Sequence, residues 1–131
     1  MTSATPDTVR SPCVLIVEDG ERNLKLVRDV LQAAGFRTLE ARAGAEAIVT
    51  AEEHLPDVIL MDLRLPDMDG TAAVRKLHEA QRTARIPIVA LSALTLERGG
   101  DPTGFAGRLQ KPIDVAAFPD LVRGFCAVAA T

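Results

Sequence analysis

The sequence predicts an α/β protein in which a doubly wound parallel sheet of five strands is covered by helices on both faces. Short, nearly continuous apolar segments, typical of strands buried on both faces, alternate with longer segments of helical periodicity. Each predicted strand-to-helix link is short, and right-handed crossovers between parallel strands then restrict the topology. Several apolar segments end in charged or polar residues, which would collect those side chains at one edge of the sheet.

The chain begins with a predicted strand, helix and strand. An apolar run predicts the first strand at about 13–18. The segment 20–35 is predicted to be a helix, because leucine, valine and alanine recur at helical spacing and Gly35 provides a C-terminal stop. A short strand is predicted at 37–41. These elements form the first unit of the alternating pattern.

The middle of the chain continues the alternation. An alanine-rich helix is predicted at 45–55, with Ile48 and Val49 facing inward and Pro56 ending it. The apolar run that leads into Asp62 predicts a buried strand at 57–62.

The last part of the chain is less regular. A helix is predicted at 71–83 and a strand at 86–91, whereas 93–106 receives no assignment. The strand at 107–110 is predicted on weak grounds, because only its leucine is strongly apolar. A closing helix is predicted at 114–130. Its predicted apolar stripe consists of Phe118, Leu121, Val122 and Phe125.

Length and composition indicate one globular domain. The 131 residues suit a single core, and 47% of them are hydrophobic while 25% are charged. The domain is expected over 13–131, after a flexible polar tail over 1–12. This tail has no apolar core of the kind that a secretory signal contains.

Charge, hydropathy and cysteine content disfavour several classes of partner. A net charge of −3 and a pI of about 5.3, without a basic patch, predict no nucleic-acid partner. The apolar runs are too short to span a membrane. Cys13 and Cys126 are too few for a disulfide framework, so we expect a cytoplasmic protein with reduced thiols.

Three acids, a hydroxyl and an amine fall at predicted strand ends. Glu18 and Asp19 close the first strand, Asp62 ends the third, Ser92 follows the fourth and Lys111 follows the fifth. Neighbouring carboxylates repel one another, and Mg²⁺, a hard cation that prefers oxygen ligands, relieves this repulsion. Ser92 offers a hydrogen bond and Lys111 a positive charge to phosphoryl oxygens. One carboxylate can then act as a nucleophile toward phosphorus.

Five short motifs occur in order along the chain: Glu18-Asp19, Met61-Asp62, Leu65-Pro66-Asp67-Met68-Asp69-Gly70, Ser92-Ala93 and Lys111-Pro112-Ile113-Asp114. Over residues 13 to about 130, they resemble a response-regulator receiver domain of two-component signalling, of the stand-alone type. The resemblance implies a flavodoxin-like sheet with strand order 2-1-3-4-5.

The resemblance also implies a metal site. Asp19 and Asp62 would bind Mg²⁺ directly, Glu18 would help through water, and the backbone carbonyl of Arg64 would be a further ligand. By their sequence alone, Asp67 and Asp69 are expected to be turn formers rather than ligands.

The same resemblance implies the chemistry of phosphorylation. Asp62 would accept a phosphoryl group from the phosphohistidine of a sensor histidine kinase or phosphotransfer protein. Ser92 would hydrogen-bond that group and shift on activation, and Lys111 would pair with Asp62 or its phosphate. In this family the side chains two positions beyond the acceptor and the serine tune hydrolysis, and here they are Arg64 and Leu94.

The chain departs from the family pattern in the region that would signal to a downstream partner. Arg108 stands where the family usually has a tyrosine or phenylalanine, and we expect it to stay near the surface. The stretch 93–108 is shorter than usual. Its glycines and proline predict a loop or broken helix at 97–104. We therefore expect a remodelled surface, built from 93–108 and the last helix, to contact an unknown downstream protein.

Other functions are compatible with parts of the pattern. A pseudo-receiver would act as a scaffold without phosphorylation. A Mg²⁺-dependent phosphatase with an aspartyl nucleophile usually has a second acid where this chain has Arg64, which argues against it. A flavin or nucleotide binder is disfavoured by the acidic first loop, Asp19-Gly20-Glu21, which would repel phosphate. The favoured function is a phosphoacceptor receiver whose catalysis is limited to its own phosphoryl transfer and slow autodephosphorylation.

Overall fold

A computed structural model describes residues 11–92, 105–110 and 113–130 of the chain. Within these ranges five parallel strands form one sheet in the order β2-β1-β3-β4-β5. This confirms the predicted fold class and strand order. The strands are β1 (Cys13–Val17), β2 (Arg37–Ala41), β3 (Val58–Asp62), β4 (Ile88–Ser92) and β5 (Gly107–Gln110).

Helices cover both faces of the sheet. They are α1 (Glu21–Ala33), α2 (Gly44–His54), α3 (Gly70–Glu79) and α4 (Phe118–Ala130). Side chains alternate between the two faces along each strand, so one apolar core lies under α1 and α4 and the other under α2 and α3. In β1, for example, Val14 and Ile16 pack in the first core, and Leu15 and Val17 pack in the second.

Two predicted inward positions are wrong. Val49 is 54% exposed, and α2 instead buries the small residues Ala47 and Ala51 against the sheet. Leu121 is 48% exposed, whereas Phe118 and Val122 are buried. The reason is geometric, since a helix on a flat sheet buries a narrow stripe and leaves adjacent apolar positions in solvent.

Two element boundaries in the last part of the chain differ from the prediction because of local hydrogen bonding. Strand β4 begins at Ile88 rather than at 86. Pro87 has no N–H, and only its carbonyl joins the ladder, accepting from Ile59 N at 3.0 Å. Helix α3 ends at Glu79 rather than at 83. Thr83 is buried, and its hydroxyl donates to the Leu77 carbonyl at 2.6 Å, which satisfies one of the last carbonyls of the helix.

Helix α4 begins at Phe118, four residues later than predicted. A turn precedes it, in which the Asp114 carbonyl accepts from Ala117 N at 3.0 Å and from Phe118 N at 2.8 Å. The Asp114 side chain also accepts from Ala116 N at 3.1 Å. Asp114 therefore acts as the cap of this turn, in keeping with the preference of aspartate for helix starts.

Two further predictions concern the tail at 1–12 and the loop or broken helix at 97–104. Ser11 and Pro12, the last residues of the predicted tail, are held by Arg37, whose Nε donates to Ser11 O and whose backbone N donates to Pro12 O. The prediction of a loop or broken helix at 97–104 lies outside the described residues. Among the residues described, no helix combines the length and apolarity that a membrane crossing needs.

The buried centre of β3 yields a test of the core. Leu60 is fully buried between β1 and β4, in the core under α1 and α4. Leu60→Ala should lower the free energy of unfolding by about 2–5 kcal/mol, because it removes buried methyl groups and leaves a cavity. Urea unfolding followed by far-UV circular dichroism measures the change, since the chain has no tryptophan or tyrosine for fluorescence.

Leu26→Ala is the matched control for this measurement. Leu26 lies on α1 and is 40% exposed, so its truncation should change the free energy of unfolding by no more than about 0.5 kcal/mol. Equal losses for the two variants would contradict the described burial of β3.

Candidate functional site

Three acids meet at the carboxyl edge of the sheet. Parallel pairing places Val17 of β1 opposite Met61 of β3, so the residues that follow in each strand emerge side by side. One carboxylate oxygen from each of Glu18, Asp19 and Asp62 lies within 4.8 Å of the other two. The structure thus brings together the three acids that the sequence pattern selected.

The three carboxylates differ in exposure. Glu18 is only 2% exposed, Asp62 is half-buried and Asp19 is exposed. Glu18 Oε2 accepts a hydrogen bond from Gly20 N at 3.1 Å, and Asp62 Oδ1 accepts one from Arg64 N at 3.0 Å. These bonds orient the carboxylates, but they do not cancel the repulsion among like charges at this separation.

The chemistry of this donor set fits Mg²⁺. All the donors are oxygens, and Mg²⁺ takes oxygen ligands, usually one or two carboxylates with the remaining positions left to water or phosphate. A divalent cation also opposes the like-charge repulsion that burial of Glu18 intensifies. Asp19, Asp62 and Glu18 are therefore the residues that could hold the ion.

Arg64 lies in the β3–α3 loop, residues 63–69, which begins directly after Asp62. The loop is closed at its base by a bridge between Arg64 and Asp69 and by a hydrogen bond from Gly70 N to Leu63 O at 2.8 Å. The Arg64 side chain is exposed. The role of its carbonyl as a metal ligand stays a prediction.

Of the two other predicted site residues, only Ser92 has a described position. The register of β3 and β4 places Asp62 opposite Leu91, so Ser92, the last residue of β4, follows at the same edge. Lys111 comes directly after β5 in the sequence and lies outside the described residues. Their predicted roles toward a phosphoryl group stay predictions.

Arg108 was expected to stay near the surface, and the structure shows its side chain to be partly exposed. It lies in β5 opposite Ala90 and is half-buried, and its Nη1 atom is withdrawn from solvent. Because Arg108 lies within a strand of the sheet, part of its long side chain runs along the packed surface. The predicted surface over 93–104 lies outside the described residues.

Sequence reasoning missed a role of Asp67, which was expected to be only a turn former. Its carboxylate accepts hydrogen bonds from Gly44 N and Ala45 N at the start of α2. These bonds lower the pKa of Asp67, because they favour the charged form. The available signal was Ala43, which precedes α2 and has no side-chain oxygen with which to cap it.

A doubly wound parallel sheet with strand order 2-1-3-4-5 and a cluster of acids at its carboxyl edge defines a flavodoxin-like protein whose acidic edge could hold a cation. Residues 14–123 match the family model of the response regulator receiver domain. The chain therefore belongs to the family of response-regulator receiver domains. The family works in two-component signalling, generally as signalling modules that interact with histidine kinases or phosphotransfer proteins rather than as enzymes.

Two similar proteins support this assignment. The chain is 37% identical over 117 residues to the polar-differentiation response regulator DivK of Brucella ovis. The aligned region covers 86% of this chain and 94% of DivK. It also resembles the receiver domain of the sensor histidine kinase PA1611 from Pseudomonas aeruginosa PAO1, whose crystal structure has a magnesium ion coordinated in the active site cleft. That match has a TM-score of 0.82 and 30% identity, and covers 89% of this chain and 98% of that one.

A chemotaxis protein provides a further structural comparison. The chemotaxis response regulator CheY4 of Vibrio cholerae matches with a TM-score of 0.81 and 27% identity, over 88% of this chain and 98% of CheY4. The match covers 98% of the chain in each of these two solved structures, so the fold is shared throughout the described sheet.

Gly70 offers a test of the close packing behind Asp62. A Cβ at Gly70 would lie 2.9 Å from the Asp62 carbonyl oxygen and 3.1 Å from Leu63 Cα, both of them backbone atoms. Gly70→Ala should therefore push the end of β3 and cost about 1–3 kcal/mol of unfolding free energy, as overpacking does. Urea unfolding measures the cost, and amide chemical shifts of Asp62 and Leu63 report the displacement.

Gly124→Ala is the control for the same substitution. Gly124 lies in α4, and a Cβ there would meet no atom within 4 Å. Because alanine is favoured over glycine inside helices, this variant should be more stable by about 0.5–1 kcal/mol. If Gly70→Ala is stabilising to the same extent, the described approach of α3 to β3 is wrong.

Proposed function

We propose that this chain is a phosphoacceptor receiver of a histidine-kinase phosphorelay, phosphorylated on Asp62 with Mg²⁺ and signalling by phosphorylation-dependent partner binding. The observation that carries the proposal is the convergence of Glu18, Asp19 and Asp62 within 4.8 Å at the carboxyl edge of the sheet. Membership of the receiver-domain family supports it.

The proposed metal site uses the two residues that follow β1, the last residue of β3 and the loop after β3. Asp19 and Asp62 would bind Mg²⁺ directly, Glu18 would act through water, and the Arg64 carbonyl would be a further ligand. When bound, the ion offsets the negative charge of the carboxylates and of an incoming phosphoryl group. The magnesium ion in the PA1611 receiver domain supports this assignment.

In the proposed transfer, a carboxylate oxygen of Asp62 attacks the phosphorus of a phosphohistidine. The new P–O bond forms as the P–N bond breaks, and the histidine nitrogen leaves with the electron pair and takes up a proton. The hydrogen bond from Arg64 N to Asp62 Oδ1 would hold the carboxylate in a fixed orientation for this attack. Ser92 would donate a hydrogen bond to the transferred group, and Lys111 would supply a compensating positive charge.

Partners and setting are part of the proposal. The phosphodonor would be a sensor histidine kinase or phosphotransfer protein, and the readout would be a downstream protein that binds the phosphorylated form. Residues 13–131 would form the receiver and 1–12 a tail. We place its action in the cytoplasm, because Cys13 and Cys126 are free thiols and a reducing compartment keeps thiols free.

Phosphorylation of Asp62 is tested directly by intact-mass analysis. Incubation with acetyl phosphate and Mg²⁺ should add one phosphate to the protein, and EDTA should abolish the addition because the metal offsets the charge at the site. Asp62→Asn should take up none, since the amide is a poor nucleophile toward phosphorus.

Asp69→Asn is the matched control for Asp62→Asn. Asp69 is an exposed acid at the end of the same loop, and its side chain makes no capping hydrogen bond to α3. This variant should label as the unmodified protein does. Full labelling of Asp62→Asn, or labelling unaffected by EDTA, would contradict the proposal and favour a scaffold that works without phosphorylation.

The lifetime of the phosphorylated form is a second testable property. Arg64 and Leu94 occupy the positions that tune hydrolysis in this family, and neither has a carboxylate or amide suited to orient an attacking water. Positioning or general-base help is typically worth ~10²–10⁴ in rate, so its absence should leave a phosphorylated state that lasts many minutes or longer. Loss of the added mass, followed over time after removal of acetyl phosphate, measures this lifetime. A half-life of seconds is the result that would refute it.

A further inference from the structure

The tip of the β3–α3 loop is fastened to a helix that is remote in sequence. Gly44 N donates to Asp67 Oδ1 at 2.7 Å, and Ala45 N donates to Asp67 Oδ2 at 3.0 Å. Both oxygens of one carboxylate thus serve the first two residues of α2. The contact joins residues that are 22 and 23 positions apart in the chain.

Helix α2 needs this carboxylate because its own sequence provides no side-chain cap. The first N–H groups of a helix have no partner within the helix, and the residue before α2 is Ala43. Glu46 is directed elsewhere, since its Oε1 accepts from Arg42 N at 2.9 Å. An ionised aspartate at a helix N-terminus is favoured both by the helix dipole and by charge-assisted hydrogen bonds.

An apolar contact reinforces the polar one. A Cβ at Gly44 would lie 2.6 Å from Met68 Cγ and 2.6 Å from Met68 Sδ, so the methionine lies directly on the glycine. Met68 is half-buried and packs against the core under α2 and α3. Asp67 and Met68 therefore attach the loop tip to the first turn of α2 by two adjacent contacts.

The loop is short and closed, so its tip and its base do not move independently. At the base, Arg64 N bonds to Asp62 Oδ1, Arg64 bridges to Asp69, and Gly70 N bonds to Leu63 O. Only three peptide bonds separate Arg64 from Asp67, the residue at the tip of the loop. We therefore expect that a shift of the tip would displace the backbone of Arg64 and, through its hydrogen bond, the Asp62 carboxylate.

We propose that Asp67 is a positioning residue for the metal site. Its tie to α2 holds the β3–α3 loop in the conformation in which the Arg64 carbonyl and the Asp62 carboxylate face the same cation. Asp67 does not touch the cation in this scheme, and it acts only through the loop backbone. The inference rests on the proposed function, because it assigns a role toward the Mg²⁺ that the acids would bind.

The test is a Mg²⁺ titration of the full chain followed by amide chemical shifts. Asp67→Ala should weaken Mg²⁺ binding by about tenfold, the lower end of the loss seen when an outer partner of a metal ligand is removed. The Gly44 and Ala45 amide signals should shift in the same variant and exchange faster with solvent. Asp67→Asn keeps the shape of the side chain and one acceptor oxygen. Its Mg²⁺ affinity should therefore lie between those of the unmodified protein and Asp67→Ala.

Asp69→Ala is the matched control for charge. It removes one negative charge from the same loop without removing a capping hydrogen bond, so its Mg²⁺ affinity should stay within about twofold of the unmodified protein. The rate of labelling by acetyl phosphate provides a second readout. Asp67→Ala should label slowly at low Mg²⁺ and recover at saturating Mg²⁺, which a general loss of stability would not produce.

The outcomes separate the two proposals. If the unmodified protein neither binds Mg²⁺ nor takes up phosphate, the proposed function fails and this inference fails with it. If the unmodified protein binds Mg²⁺ and Asp67→Ala binds it equally well, only the inference fails. Should Asp67→Ala not fold, Asp67→Asn decides, and an unchanged affinity in that variant overturns the positioning role.

Discussion

The repulsion among three carboxylates at one edge of the sheet is the constraint on which the rest of the structure depends. Parallel pairing of β1 with β3 forces Glu18, Asp19 and Asp62 together, and the near-complete burial of Glu18 removes most of the water that would screen its charge. A fold does not gain stability from such an arrangement. The apolar strands beneath the cluster offset its cost, and a cation, if bound as proposed, would offset it further.

The surroundings of the cluster keep these charges in place rather than letting them spread apart. Glu18 is held by Gly20 N, and Asp62 is held by Arg64 N. The absence of a side chain at Gly70 lets α3 begin directly against the end of β3. In the two hydrogen bonds a backbone N–H donates to a side-chain carboxylate, so the path of the chain helps to orient Glu18 and Asp62.

Much of the fold followed from the sequence because buried parallel strands leave a strong apolar signal. All five strands lie within two residues of their predicted bounds. The residue types at the predicted strand ends also identified the three acids that converge in the structure. The boundaries that failed depend on single hydrogen-bonding groups, such as the missing N–H of Pro87 and the hydroxyl of Thr83. The tie from Asp67 to α2 joins distant parts of the chain, which local periodicity does not detect.

The proposed phosphorylation site and the proposed signalling surface lie in different parts of the chain. Glu18 and Asp19 directly follow β1 and Asp62 ends β3, where the chain follows the family pattern, whereas Arg108 on β5 stands where the family usually has an aromatic residue. An aromatic ring can turn between a buried and an exposed position at modest cost, but a guanidinium must keep its charged end hydrated or paired in both. A movement at Arg108 would therefore rearrange charges rather than fill or empty an apolar pocket. If the proposed phosphorylation chemistry holds, this chain would combine it with a surface around Arg108 that differs from the family pattern.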